Sequence, residues 1–160
     1  MESIILKPIG IIHSPFTDPK SMPIQPVSQN SAAGRIEVFP EYAAGLEDVE
    51  GFSHLLLLYH FHRARACSLS VTPFLDTEPR GLFATRAPNR PNPIGLSLVR
   101  LVRIEGSQLY VENIDVLDGT PLLDIKPHVP DFDCVSGARI GWLEKAAADL
   151  RKQVGDDRFL

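Results

Sequence analysis

Between Arg86 and Ser97 the chain reads Arg-Ala-Pro-Asn-Arg-Pro-Asn-Pro-Ile-Gly-Leu-Ser, with prolines set between arginines and asparagines. Pro88, Pro91 and Pro93 each fix one φ angle and bias the residue before them toward extended backbone. Ala87, Arg90 and Asn92 are thereby held in set directions, so little ordering entropy remains to be lost on binding a ligand. Arg86 and Arg90 offer planar donor forks suited to a carboxylate or phosphate. Asn92 carries both a donor and an acceptor, the pattern that reads a purine edge. Gly95 allows close backbone approach.

A second constellation is Asp118-Gly-Thr-Pro-Leu-Leu-Asp-Ile-Lys-Pro127. Asp118-Gly119 signals a turn. Beyond it, Asp124 and Lys126 alternate on one side of an extended run, as a pair able to bind ribose hydroxyls or simply to neutralise each other. His54, His60 and His62 share one face of a strand. His60 and His62 could ligate zinc, but no Cys or carboxylate follows at ligand spacing, and no metal site is expected. The sequence contains no Gly-x-Gly, no phosphate-binding Walker loop and no Gly-x-Ser-x-Gly nucleophile elbow.

The elements that must position these residues read as short strands. Fourteen prolines, many flanking β-branched runs, disfavour long helices. Strands are expected over Ile4 to Ile12 (interrupted by Lys7-Pro8), Gly34 to Phe39, His54 to His62, Val71 to Leu75 and Gly81 to Thr85. Leu96 to Glu105 and Gln108 to Asp115 flank Gly106-Ser107 as a hairpin. Pro40 leads into one helical turn ending near Leu46. Ile140, Leu143, Ala147, Leu150 and Val154 form one apolar helical stripe, so a C-terminal helix is expected over about 136–154, capped by Ser136 and Gly155. Many short strands and one helix indicate a mainly β architecture, a barrel or strongly curved sheet.

With 160 residues, 44% hydrophobic and 22% charged, the chain is expected to form one globular domain. No apolar run approaches the ~20 residues that span a bilayer. The start, MESIILKPIG, lacks a basic region before its apolar run, so a secretory signal is not expected. Cys67 and Cys134 match no metal spacing and fit reduced thiols in the cytoplasm. The net charge of −4 argues against a non-specific nucleic-acid binder. A local basic face remains open, because Arg63, Arg65, Arg80, Arg86, Arg90, Arg100 and Arg103 fall in one stretch.

Four stretches together resemble one family. They are Pro8 to Phe16 with Pro23-Ile-Gln25, Gly51 to Leu55, Phe83 to Ser97, and Asp118 to Pro127. In this order and spacing they are similar to the TsaA-like (TrmO-type) S-adenosylmethionine-dependent methyltransferases. The likeness spans about residues 4–130. It implies a homodimeric, non-Rossmann, mainly β-barrel enzyme that methylates N6 of threonylcarbamoyladenosine beside the tRNA anticodon. It carries S-adenosylmethionine contacts to Gln25, Pro26, His62, Arg63, Arg86, Leu96, Asp124, Ile125 and Lys126. Arg90 and Asn92 are then candidates for the substrate, and Asp124, Asp118 or His62 for the proton acceptor. Two departures stand out, Ile24 where the family commonly has Arg and His128 where Tyr is usual. The chain also ends soon after its expected helix, without the further domain of many bacterial members. Two alternatives are a different small-molecule or nucleotide acceptor, and a non-catalytic S-adenosylmethionine-binding module.

Overall fold

The structure, a computed structural model, describes residues 2–18, 32–74 and 76–145. Its strands are β1 (Gly10–His13), β2 (Ala32–Val38), β3 (His54–His60), β4 (Ser70–Val71), β5 (Arg80–Gly81), β6 (Ile94–Glu105), β7 (Gln108–Ile114) and β8 (Thr120–Pro127). Six of them close into an antiparallel barrel in the order β1-β2-β7-β6-β3-β8, and β4 pairs with β5 in a separate ribbon. Closure leaves the barrel without an exposed edge. The expected mainly β barrel is therefore present.

Alternation along the strands fills the barrel. Leu55, Leu57 and Tyr59 of β3 point inward, as do Val99 of β6, Leu109 and Val111 of β7 and Leu122 of β8, all nearly inaccessible to solvent. The intervening Leu56 and Leu58 lie on the outer wall. β6 and β7 form the expected hairpin, with Glu105 opposite Gln108. Gly106 has φ +60°, the positive angle a two-residue turn requires at its first central position.

Several elements are shorter than the sequence pattern suggested. Only Gly10–His13 of the first expected strand is in the sheet, and Ile4, Ile5 and Leu6 are exposed. Pro8 has no N–H to donate, and pairing begins after it, where Ile9 N–H donates to Leu122 O at 2.8 Å. β3 ends at His60, which leaves His62 in a turn. Of Val71 to Leu75 only Val71 is in a strand, together with Ser70 before it, and Leu75 lies outside the described residues. Gly81 to Thr85 splits into the end of β5 and a 3-10 turn, Leu82–Ala84, that buries Leu82.

After β8 comes a four-residue helix, Pro130–Asp133. Residues 136–140 are not helical. Gly137 at φ +70° and Gly141 at φ +60° turn the backbone the wrong way for a right-handed helix. A single 3-10 turn follows at Gly141–Lys145, and Ala147, Leu150 and Val154 lie outside the described residues.

Candidate functional site

Leu58 sits opposite Leu96 of β6 on one side and Asp124 of β8 on the other, so these three residues form one row on the outer wall. The next row down is Leu98, Leu56 and Lys126. Asp124 reaches the outside only through a register shift. Leu122 points inward opposite Tyr59, and strict alternation would place Asp124 inward too. Leu123 is the extra residue, a bulge that turns the carboxylate outward. Once outside, Asp124 Oδ2 meets Lys126 Nζ at 2.8 Å and Oδ1 accepts from Ile125 N–H at 2.9 Å. That contact holds the Lys126 ammonium pKa above its ordinary value. The Ile125 side chain packs against the core, so only its backbone is offered to the wall. Toward the far end of the barrel, Asp124 and Ile125 border a recess of about 460 Å³ that Tyr42, Leu46 and Phe52 also line.

The other predicted residues gather at the barrel end where β3 finishes and β6 and β8 begin. His62 Nδ1 lies 3.2 Å from the Thr120 hydroxyl. Partial burial, and then the charges of Arg63 and His60, lower its pKa, so the imidazole is neutral at pH 7. Arg63 Nη1 donates to Thr17 O at 3.1 Å. Gln25 and Pro26 lie outside the described residues.

The proline-rich segment is a braced loop over this end, and its two arginines have opposite roles. Arg90 turns inward. Its Nη1 donates to Thr85 O at 2.9 Å and lies 3.4 Å from both Leu82 O and Ala87 O. Its guanidinium also stacks over the Phe83 ring at 5.7 Å. Arg90 thus holds the loop together through Nη1, a bracing role beside the substrate contact expected of it. Arg86 is exposed and makes no hydrogen bond or ion pair with any described residue. Asn92 is exposed as well, with its carbonyl accepting Ile94 N–H at 2.8 Å. Trp142 Nε1–H donates to Ala84 O at 2.8 Å, tying the segment after the barrel onto this loop.

Asp118 is already engaged. Its Oδ1 accepts Ser14 N–H at 3.1 Å and lies 3.4 Å from His13 Nδ1, while His13 Nε2 lies 3.5 Å from Glu37. It clamps the end of β1 to the β7–β8 turn, which fits a structural role better than a proton acceptor.

A half-buried group that sequence reasoning missed is Asp115, just past the end of β7. The Ser97 hydroxyl donates to Asp115 Oδ1 at 2.5 Å. Ser97 has one proton to give, so the Tyr59 hydroxyl, 2.9 Å away, donates to Ser97. Burial raises the Asp115 pKa to about 7, opposed by the Ser97 hydrogen bond, a backbone N–H and the charge of Arg86. Burial, and then the charge of Asp115, hold the Tyr59 phenol far above its ordinary range. The Tyr59 ring fills the space beside Gly95, where an added Cβ would stand 2.1 Å from a ring carbon. The available signal was a serine two residues after a glycine on an inward strand face.

The basic stretch is largely neutralised. Arg80 pairs with Asp76, Arg100 with Glu112 and Arg103 with Glu105. With Arg90 and Arg63 bonded to carbonyls, Arg65 and Arg86 are the guanidinium groups of this stretch left without a partner among the described residues. Among the same residues, no group of three His, Cys, Asp or Glu could hold a metal ion.

The tRNA-methyltransferase O N-terminal domain, as a sequence family, matches residues 11–134. The chain belongs to this family. A probable S-adenosyl-L-methionine-binding protein of Pyrococcus abyssi is 56% identical over 156 residues, covering 98% of this chain and 85% of that protein. The human tRNA (adenine(37)-N6)-methyltransferase is 37% identical over 138 residues, covering 82% of this chain and 31% of that protein. A crystal structure of TrmO from Pseudomonas aeruginosa superposes with a TM-score of 0.74 at 41% identity, covering 88% of this chain and 63% of that one. The chain therefore spans less than two thirds of the latter two proteins. As a tRNA-methyltransferase O-type barrel, it carries the outer row and the braced loop within the matched residues.

Proposed function

We propose that this chain is an S-adenosylmethionine-dependent methyltransferase acting on N6 of the adenosine beside a tRNA anticodon, with N6-threonylcarbamoyladenosine as the acceptor. The observation that carries the reading is the outer wall itself, in a chain of this family. There a bulge exposes Asp124 in line with Leu96, and the unpaired Arg86 stands at the rim. The names of the relatives supply the donor and the nucleobase.

The residues present suit this donor. Asp124 would accept from ribose hydroxyls, Leu96 and Leu58 would face the adenine, and Arg86 would take the methionine carboxylate. When bound, S-adenosylmethionine supplies an activated methyl group on its sulfonium. The chain's own task is positioning and proton removal. His62 is the proton acceptor this reading favours, because it is neutral at pH 7 and its Nδ1 is oriented by Thr120. Asp118 and Asp124 are both committed to other partners.

The RNA footprint is small, since among the described residues Arg65, Arg86 and Arg139 are the guanidinium groups left for phosphate. The same proposal includes a homodimer in the cytoplasm and one domain with its core at residues 4–130. The exposed Ile4, Ile5 and Leu6 before β1 support an apolar face that a second copy covers. No described helix is long and apolar enough to cross a membrane.

Equilibrium binding of S-adenosylmethionine, followed by transfer of labelled methyl to tRNA pools with and without threonylcarbamoyl groups, tests the reading. Label in the modified pool alone supports it. Label in neither pool, with donor bound, favours the non-catalytic module.

A further inference from the structure

We propose that Asn89 is a positioning residue for the reaction, a side-chain latch that fixes the turn carrying His62 and Arg63 against the loop carrying Arg86. The inference rests on the reading of His62 as proton acceptor and Arg86 as a donor contact. It starts from where the β3 ladder stops. Pairing ends at His60, so the chain from Phe61 to Arg65 must find its partners elsewhere. Ala64 N–H donates to Phe61 O at 2.9 Å and closes these residues into a turn. The turn is then tied to the proline-rich loop at both ends. Phe61 N–H donates to Pro93 O at 2.8 Å, and Arg65 N–H donates to Asn89 Oδ1 at 2.8 Å. His62 and Arg63 lie between the two ties.

Asn89 is held firmly at its own end. Pro88 and Pro91 restrict the backbone on either side, and Arg90 N–H returns to Pro88 O at 3.0 Å, a tight turn centred on Asn89. The neighbouring Arg90 guanidinium pins the same loop to Thr85 O. The amide carbonyl of Asn89 is therefore a fixed, neutral acceptor for a backbone N–H that has left the ladder. The tie joins segments that are distant in sequence and that the function needs in register. Arg86 would hold the donor's carboxylate from the loop, while His62 would reach the acceptor nitrogen from the turn. The Thr120 hydroxyl, 3.2 Å from His62 Nδ1, orients the imidazole, and the latch sets where the backbone beneath it stands. A displacement of about 1 Å at such a group can cost on the order of a hundredfold in rate.

Two experiments separate this inference from the functional reading beneath it. The first needs no ligand. In Asn89→Ala, amide exchange at Arg65 should quicken about tenfold, and the His62 ring signals should shift or broaden in carbon-edited NMR. Both should return toward wild type in Asn89→Asp, which keeps an oxygen for the Arg65 N–H. Unchanged exchange at Arg65, or His62 signals that do not move, overturn the latch. The second is steady-state methyl transfer to tRNA bearing threonylcarbamoyladenosine. In Asn89→Ala kcat should fall about tenfold or more while the donor KM stays within about threefold, because Arg86 and Asp124 would hold the donor from other segments. Asn89→Asp should recover most of the loss. A kcat within about twofold of wild type, or a loss confined to KM, overturns the positioning role. A wild type that transfers no methyl group removes the functional reading, and the NMR arm then decides the latch alone.

Discussion

Leu96 and Asp124 are two strands apart, yet both stand opposite Leu58 and face outward in a single row. One is apolar and the other acidic, an arrangement that fits a nucleoside lying across the wall with its base on leucine and its sugar on carboxylate. Asp124→Asn keeps the shape and removes the charge. Donor affinity is expected to fall about tenfold or more, the loss of roughly 1.4 kcal/mol. The exposed pair with Lys126 contributes little to folding, so the melting temperature should stay within about 2 °C. Calorimetric titration and a thermal melt check both halves, and unchanged affinity contradicts the assignment.

The two loop arginines should separate cleanly. Arg90→Ala strips a shared charged donor from three carbonyls, and hydrogen exchange across residues 85–94 should quicken about tenfold. Arg86→Ala should leave exchange unchanged and weaken the donor by about tenfold or more. If Arg86→Ala loosens the loop and leaves binding intact, the two roles are reversed.

Much of this was legible beforehand. Alternation placed β2, a continuous apolar run placed β3, the Gly106-Ser107 turn placed β6 and β7, and the spacing of Asp124 and Lys126 put them on one face, where they do meet at 2.8 Å. The prolines from Pro88 to Pro93 marked a stiff loop. What stayed hidden depends on contacts between distant segments. The bulge at Leu123 exists only in the ladder between β8 and β3, and without it the local pattern cannot say whether Asp124 points in or out. Arg90 looked like Arg86 because nothing local shows which carbonyls it will find. Asp115 looked like a strand end, since its hydrogen-bond chain runs to Ser97 and Tyr59 on other strands. The apolar stripe toward the C-terminus suggested helix over residues whose glycines instead adopt positive φ.

Gly95 is required by the ring above it. Gly95→Ala would place a Cβ 2.1 Å from the Tyr59 ring, forcing Tyr59 off its bond to Ser97. A loss of about 1–3 kcal/mol, or several degrees in melting temperature, is expected. Urea unfolding measures it, and full stability in the variant would show that the ring does not lie where described.

Asp115 should also shape stability against pH. An acid whose folded-state pKa, about 7, lies above the ordinary 3.8 keeps its proton longer in the folded chain. Between those values the folded state binds more protons than the unfolded, so this group's contribution falls as pH rises and is flat above about 7. Asp115→Asn cannot lose that proton. Relative to the wild type it should therefore gain stability progressively from pH 4 to pH 7, read by urea unfolding at several pH values. A constant difference between the two across that window would contradict the proton-holding carboxyl.

The most direct test of the whole account is nucleoside mass spectrometry of tRNA after incubation with the protein and S-adenosylmethionine. The expected result is threonylcarbamoyladenosine converted to its N6-methyl form, with unmodified adenosine untouched and conversion reduced at least tenfold in Asp124→Asn. An unchanged nucleoside profile with donor demonstrably bound, or methylation undiminished in Asp124→Asn, would contradict it.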